Sequence, residues 1–207
     1  MTNAEIVKNF NKLFPDARCE LDYKTPYELL VAVILSAQCT DKRVNIVTKE
    51  LFKKYNTPQA MLSLSQSQLE EKIHSCGFFR NKAKNILQAS SDIINRFDGQ
   101  VPSNFDDLCS LSGVGRKTAN VMVSEAFNGD AFAVDTHVLR VSNRLGIANS
   151  NDPNKVEFIL KDFFEQKDWS RLHYQMVLFG RYKCKAIKPD CEGCPFQSIC
   201  KYYNREK

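Results

Sequence analysis

Residues Leu111 to Asn120, read as LSGVGRKTAN, place two glycines and a lysine at the start of a helix-forming run. Glycine adopts positive φ angles without steric cost and lets another backbone come close. The free N–H groups of the first helical turn after Gly115 would form an anion site, which can hold a phosphodiester without reading any base. Lys117 would lie beside that phosphodiester. The alternative is an ordinary turn between two helices followed by a solvated lysine, since short glycine motifs recur by chance.

Four cysteines near the C-terminus, Cys184, Cys191, Cys194 and Cys200, are separated by six, two and five residues. A Cys-x-x-Cys pair with two flanking cysteines is typical of metal binding, and either a zinc ion or an iron–sulfur cluster would satisfy four thiolates. Spacing alone does not choose between them. Reduced, unliganded thiols are the remaining alternative. Against it, the loop contains no long apolar run, and a metal can replace a hydrophobic core in such a segment.

Lysines surround the first of these cysteines. Lys185 and Lys188, together with Lys183, could present cations to a phosphate backbone or could form a solvated face. Residues 176–207 carry seven Lys or Arg against three Asp or Glu, which accounts for +4 of the formal net charge of +5. A basic chain end favours a polyanionic partner, although four metal-bound thiolates would cancel much of this charge. The other cysteines lack metal-ligand spacing and are expected to be buried thiols: Cys19, Cys39, Cys76 and Cys109.

The elements that must position these residues are helical nearly throughout. Apolar residues recur with a period of 3.6 along most of the chain, which predicts a series of amphipathic helices. The run from Leu29 to Leu35 is apolar all round. Because Thr25-Pro26 before it is a strong helix start, with Glu28 closing a capping box, we expect a buried central helix rather than a strand. The sequence therefore predicts an all-α fold.

Capping signals predict where other helices begin. Ser67 with Glu70 predicts one start, and Ser103 with Asp106 predicts the helix that leads into the glycine hairpin. Asp135 opens a further helix.

Length and composition exclude some classes of protein. At 207 residues the chain suits one large domain or two small ones. Its longest apolar run is far below the roughly 20 residues that a membrane span requires, and no secretory signal is visible. We therefore expect a protein of the reducing cytoplasm, where eight cysteines indicate metal rather than disulfides.

The glycine hairpin with its lysine, the segment VDTH at residues 134–137 and the cysteine tail occur together in this order. In this combination the chain closely resembles the endonuclease III family, bifunctional DNA glycosylase/AP lyases of the helix-hairpin-helix superfamily, from Thr25 to Cys200. The resemblance implies two helical domains with a DNA-binding cleft between them. Residues 20–131 would form a six-helix domain with the hairpin, and residues 1–19 plus 132–207 would bind a [4Fe–4S] cluster through the four cysteines.

The same resemblance implies an activity. The enzyme would act as a monomer on double-stranded DNA of the nucleoid, removing oxidised or ring-saturated pyrimidines and nicking the strand by β-elimination. Lys117 would form a Schiff base at C1′. Lysine at its reference pKa is only about 0.04% neutral at pH 7, so we expect the helix N-terminus and Arg116 to lower the Lys117 pKa. Asp135 would accept a proton or stabilise charge on the sugar, with a helix N-cap as the alternative or additional role.

In this family the target nucleotide leaves the duplex and side chains fill the gap. By resemblance, Gln38 would enter the vacated stack, and Phe78 would wedge the opposite strand, where leucine is the family's usual residue. Backbone N–H groups of the hairpin would hold a phosphate. The remaining DNA-binding residues would be Gly113, Val114, Gly115, Arg116, Lys185 and Lys188. A monovalent cation would bind the hairpin carbonyls of Cys109, Leu111 and Val114.

Two other functions are compatible with parts of the pattern. A non-catalytic, metal-containing DNA-binding protein would need the hairpin and the basic tail, but not the pair Lys117 and Asp135. Mismatch-specific glycosylases of the same superfamily are the second alternative. Their adenine-removing class uses a glutamate on the central helix, where this chain has Val33, and their thymine-mismatch class replaces the lysine with tyrosine.

Overall fold

The computed structural model describes residues 1–205; Glu206 and Lys207, which end the basic segment, lie outside the described residues. Residues 1–205 form helices and connecting turns without a β-strand, so the predicted all-α class is confirmed. No helix in this range is long and apolar enough to cross a membrane. The α-helices are α1 (Asn3–Leu13), α2 (Pro26–Ser36), α3 (Asp41–Leu51), α4 (Pro58–Met61), α5 (Gln66–Ile73), α6 (Phe79–Arg96), α7 (Phe105–Cys109), α8 (Arg116–Phe127), α9 (Thr136–Arg144), α10 (Pro153–Phe163), α11 (Trp169–Leu178) and α12 (Lys201–Arg205).

Three short segments in residues 1–205 have helical turns of other types. The segments His74–Cys76 and Gln166–Asp168 are 3₁₀ turns, and Phe179–Lys183 is a π-helical turn that continues α11.

The chain divides into two compact units. Residues Glu20–Gly129 form the continuous unit, which contains α2 to α8 and the glycine hairpin. Residues Met1–Cys19 and Asp130–Lys207 form the two-ended unit, which contains α1, α9 to α12 and the cysteine tail.

Helix α2 is the centre of the continuous unit. Every residue from Tyr27 to Leu35 is buried, which confirms the buried helix predicted from the apolar run Leu29 to Leu35. The Thr25 hydroxyl accepts a hydrogen bond from the Glu28 N–H at 3.2 Å, which confirms the predicted N-cap. The capping box is not formed, because the Glu28 carboxylate accepts the Lys24 N–H at 2.6 Å instead of that of Thr25.

Two other predicted helix starts are wrong by one or two residues. Helix α5 begins after Ser65 rather than Ser67, because the Ser65 hydroxyl and the Gln68 side chain form a complete capping box. Helix α7 begins after Asn104 rather than Ser103, because the Asn104 side chain accepts the Asp107 N–H at 2.9 Å.

Three aromatic rings hold the core of the two-ended unit. Phe10 of α1, Phe179 and Phe196 are fully buried, and their ring centroids are 4.7 to 5.6 Å apart. Gln175 of α11 donates hydrogen bonds to the Asn11 side chain and the Phe14 carbonyl. The first helix of the chain is therefore fixed against residues from its last third.

Candidate functional site

The glycine hairpin joins α7 to α8 and rests on α6. The Val114 N–H donates to the Leu111 carbonyl at 3.1 Å, and Gly113 adopts a φ of +78°. A Cβ on Gly113 would lie 2.8 Å from the Cβ of Asn85, so backbone angle and close approach both require glycine. The Ser112 hydroxyl donates to the Asn85 side-chain oxygen at 3.2 Å. Asn85 of α6 therefore holds the turn in place.

Gly115 ends the hairpin and is the N-cap of α8, where it supplies no side-chain cap to the first helical turn. Nothing lies within 4 Å of the position that a Cβ would take on Gly115, and the residue is exposed. Val114 is buried beside it. An open surface with helix N–H groups at its base is suited to an anion such as a phosphodiester.

Lys117 lies on the first turn of α8 with an exposed side chain. Its neighbour Arg116 is half-buried and stacks on the ring of Phe105, with 4.8 Å between the guanidinium carbon and the ring centroid. Arg116 therefore joins α8 to α7 through a cation–π contact.

Asp135 is the N-cap of α9, in the two-ended unit. Its Oδ1 accepts hydrogen bonds from the backbone N–H groups of His137 and Val138, each at 2.8 Å. The carboxylate is partly exposed. The capping alternative is therefore correct, and because one oxygen makes both bonds, it leaves the other oxygen for a second role. Lys117 belongs to the continuous unit and Asp135 to the two-ended unit.

Gln38 and Phe78 both have left-handed backbones, with φ angles of 53° and 46°. Gln38 is exposed just beyond the end of α2, and Phe78 is 64% exposed between Gly77 and α6. Such a conformation costs a non-glycine residue roughly 1–2 kcal/mol. Strained residues of this type concentrate at functional sites, and an exposed aromatic ring offers a surface for a stacking partner.

A buried lysine close to these two residues was not predicted. Lys82 of α6 is 5% exposed, and its Nζ donates to the carbonyls of Leu35 and Cys76, each at 2.8 Å. The sequence contains a signal for it, because Lys82 lies four residues before Ile86 and thus on the buried stripe of α6.

The four tail cysteines line one cavity in the two-ended unit, together with Phe179, Tyr202 and Tyr203. Among residues 1–205, no three His, Cys, Asp or Glu side chains converge closely enough to hold a single metal ion. N–H groups point at two of the sulfurs: Arg144 Nη1 lies 3.4 Å from Cys184 Sγ, and the Tyr203 N–H lies 3.5 Å from Cys200 Sγ. Four thiols around one cavity, with N–H donors to sulfur, fit a thiolate-bound group.

The segment from Cys184 to Cys200 carries the four cysteines and is called the cysteine loop below. Two arginines of α9, which were not predicted as functional residues, hold the beginning of this loop. Arg140 donates to the carbonyls of Gly180 and Cys184, and Arg144 donates to those of Lys185 and Ala186. Because they are four residues apart, both lie on the same face of α9. The preceding π-helical turn supports the same loop, through a 2.7 Å hydrogen bond from the Cys184 N–H to the Phe179 carbonyl.

Lys185 and Lys188 have exposed side chains in this loop, and Lys188 has a φ of 48°. Lys183, in contrast, binds the carboxylate of Asp190 at 2.9 Å. Of the cysteines expected to be ordinary buried thiols, only Cys76 is fully buried, and the other three are half-buried.

The helix-hairpin-helix turn followed by a lysine defines a class of DNA repair proteins. The HhH-GPD superfamily base excision DNA repair protein family matches residues 31–166. Endonuclease III of Bacillus subtilis is 52% identical over 190 residues, covering 91% of this chain and 87% of its own. Endonuclease III of Escherichia coli is 38% identical over 198 residues, covering 96% and 94%.

Solved structures agree with the sequence comparison. A non-covalent endonuclease III–DNA complex has a TM-score of 0.95 at 47% identity and covers 100% of this chain and 98% of the other. A trapped covalent endonuclease III–DNA intermediate has the same TM-score and identity, with 100% and 99% covered. The chain therefore belongs to the HhH-GPD superfamily and, within it, to the endonuclease III family.

Proposed function

We propose that this protein is a base excision DNA glycosylase and AP lyase that removes oxidised or ring-saturated pyrimidines from duplex DNA. The similarity to endonuclease III supports the reaction class, and the existence of a trapped covalent intermediate for that protein supports a covalent mechanism. The observation that carries the proposal in this chain is the exposed Lys117 on the first turn of α8, directly after the open, uncapped glycine hairpin.

In the proposed mechanism, the hairpin N–H groups hold a phosphate, while Arg116 keeps α8 packed on α7. The Lys117 amine, once it has lost its proton, attacks C1′, and the bond from C1′ to the base breaks. The bond from C1′ to the ring oxygen then breaks to give a Schiff base, and loss of a C2′ proton drives the β-elimination that breaks the bond to the 3′ phosphate. Water finally hydrolyses the Schiff base and releases the Lys117 amine. The oxygen of Asp135 that does not cap α9 accepts a proton or stabilises positive charge on the sugar.

Gln38 and Phe78 would separate the target nucleotide from its neighbours. Their exposure and left-handed backbones support this role, because both side chains stand free of the core at the ends of helical segments. Phenylalanine at position 78 would wedge the opposite strand by stacking on a base, where the usual leucine has no π face.

We further propose that Cys184, Cys191, Cys194 and Cys200 bind a [4Fe–4S] cluster. The cavity that they line and the N–H donors to sulfur support this. The cluster would supply structural cross-linking of the loop, in place of a hydrophobic core, and would thereby fix the exposed Lys185 and Lys188 toward DNA. A monovalent cation at the carbonyls of Cys109, Leu111 and Val114, and action as a monomer on cytoplasmic DNA, complete the proposal.

Borohydride trapping on a duplex that contains thymine glycol tests the activity. We expect the wild type and Lys84→Gln, which changes an exposed lysine on α6, to form a covalent protein–DNA adduct. Lys117→Gln should form none. An adduct with Lys117→Gln, or the lack of one with the wild type, would show that the assignment is wrong.

Iron and sulfide analysis tests the cofactor. We expect about four of each per chain, with visible absorbance, on the basis of four thiolate ligands. Cys200→Ser should lower the iron content, whereas Cys19→Ser, outside the cavity, should not. A colourless protein with one zinc ion would contradict the proposal.

A further inference from the structure

Gln38 and Phe78 lie on two loops that both begin at a helix end. Helix α2 ends at Ser36, and the 3₁₀ turn before Gly77 ends at Cys76. The last carbonyls of a helix have no partner within it and need one from elsewhere.

Lys82 satisfies one carbonyl at each of these ends. Its Nζ is 2.8 Å from the Leu35 oxygen and 2.8 Å from the Cys76 oxygen, and the residue is only 5% exposed. A cation is favourable at a helix C-terminus because the carbonyl dipoles point toward it. One ammonium group therefore bridges the segment that precedes Gln38 and the segment that precedes Phe78.

A second contact joins the same two loops. The Cys39 thiol lies close enough to the Cys76 thiol to raise its pKa, and Cys39 follows Gln38 directly. Burial lowers the pKa of Lys82 and raises the pKa of Cys76 to about 11. Burial of a charged amine is unfavourable unless its hydrogen bonds compensate, and here the two carbonyls provide that compensation.

We propose that Lys82 is a positioning residue that joins the Gln38 and Phe78 loops into one element, so that both side chains enter the DNA together. This inference rests on the proposed function, because it concerns residues assigned to nucleotide extrusion. Ordering two independent loops on DNA would cost conformational entropy for each, whereas loops already joined incur less of that cost. The bridge also holds the left-handed backbones at Gln38 and Phe78 in place.

The proposal predicts energetic coupling between two side chains on different loops. Single-turnover excision of thymine glycol from duplex DNA is measured for Gln38→Ala, Phe78→Ala and the double variant. With Lys82 present, the double variant should lose about tenfold less activity than the product of the single losses. In the Lys82→Met background, the two losses should multiply.

Lys84→Met is the matched control, because it removes the same charge from an exposed position of the same helix. It should leave both the excision rate and the coupling unchanged. Borohydride trapping on a preformed abasic site gives a second readout. Lys82→Met should still form the Lys117 adduct there, while excision of a paired lesion falls about tenfold or more.

Each outcome decides between the two claims. A wild-type protein without excision or trapping overturns the proposed function, and this inference with it. Normal wild-type excision with multiplying losses in the presence of Lys82 overturns the inference alone, even if Lys82→Met fails to fold. Coupling that persists in folded Lys82→Met, or that disappears equally in Lys84→Met, also overturns it.

Discussion

Asp135 has an observed capping role and a proposed catalytic role. Its Oδ1 alone binds the two N–H groups at the start of α9, so the side chain is fixed in orientation while the second oxygen stays available. A group that is already immobilised loses little further freedom in the transition state, which favours catalysis. An asparagine can keep the cap through its own oxygen, but it cannot accept a proton or carry negative charge.

Asp135→Asn should therefore keep α9 and DNA affinity while losing at least about 100-fold in single-turnover rate, the contribution typical of a general base. Asp135→Ala should lose the same activity and, in addition, about 1 kcal/mol of stability through the missing cap. Binding titrations, rate measurements and thermal melts distinguish the two variants. Equal loss of DNA binding and turnover in Asp135→Asn would leave Asp135 a capping role alone.

The left-handed backbone at Gln38 gives a second prediction at this scale. Gln38→Ala removes the side chain and keeps the strain, whereas Gln38→Gly removes both. We expect equal losses of excision activity, but a Gly variant more stable than the Ala variant by about 1 kcal/mol in denaturant unfolding. Asp98 has a similar φ of 51° in a turn, so Asp98→Gly should also stabilise the protein, but without affecting activity.

At the scale of secondary-structure elements, the two glycines of the hairpin have different structural roles. Gly113 is required by the fold, through its positive φ and its contact with Asn85, whereas Gly115 has an ordinary φ of −95° and open space around it. Because the fold does not require glycine at position 115, we infer that the missing side chain allows a ligand to come close to the backbone there.

Gly113→Ala should destabilise the protein by about 2 kcal/mol, the sum of backbone strain and a forced shift of Asn85. Gly115→Ala should leave the melting temperature unchanged but weaken DNA binding about tenfold, because the new methyl group would occupy the position proposed for the phosphate. Unchanged affinity in Gly115→Ala would place the phosphate elsewhere.

Features that depend on residues close together in sequence were predictable, whereas contacts between residues far apart in sequence were not. Helix α2 was predictable because an apolar run follows the Thr25 cap, and α8 because a helix-forming run follows the glycine hairpin. The start of α5 was missed by two residues, since Ser65 and Ser67 are both capable caps and the Gln68 side chain selects the first. The Leu35 partner of Lys82 could not be predicted, because it lies 47 residues away in sequence and meets the lysine only after α2 and α6 have packed.

For the molecule as a whole, the cysteine loop depends on the opposite end of the chain. Phe196, between two of the cysteines, packs on Phe10 of α1 with 4.7 Å between ring centroids. A loop with little regular structure thus gains its position from the core of the two-ended unit. A substitution that disrupts the packing of α1 should consequently displace the cysteine loop.

Phe10→Ala should destabilise the two-ended unit by about 3–5 kcal/mol, because it leaves a cavity beside Phe179 and Phe196. We expect the iron content to fall with the melting temperature. Phe158→Ala, in the same unit but 62% exposed, is the matched control and should change neither. A Phe10→Ala protein with full iron content would show that the loop holds its cluster independently of α1.

The division of the chain also has a consequence for its synthesis. The continuous unit, Glu20–Gly129, has all its residues once the ribosome passes position 129, and domains generally fold as units in the order in which they emerge. Helix α1 must wait for its partners Phe179 and Phe196, which are translated after the whole of the continuous unit. The hairpin unit should therefore form first on the nascent chain, and the proposed cluster can be inserted only after Cys200 has been translated.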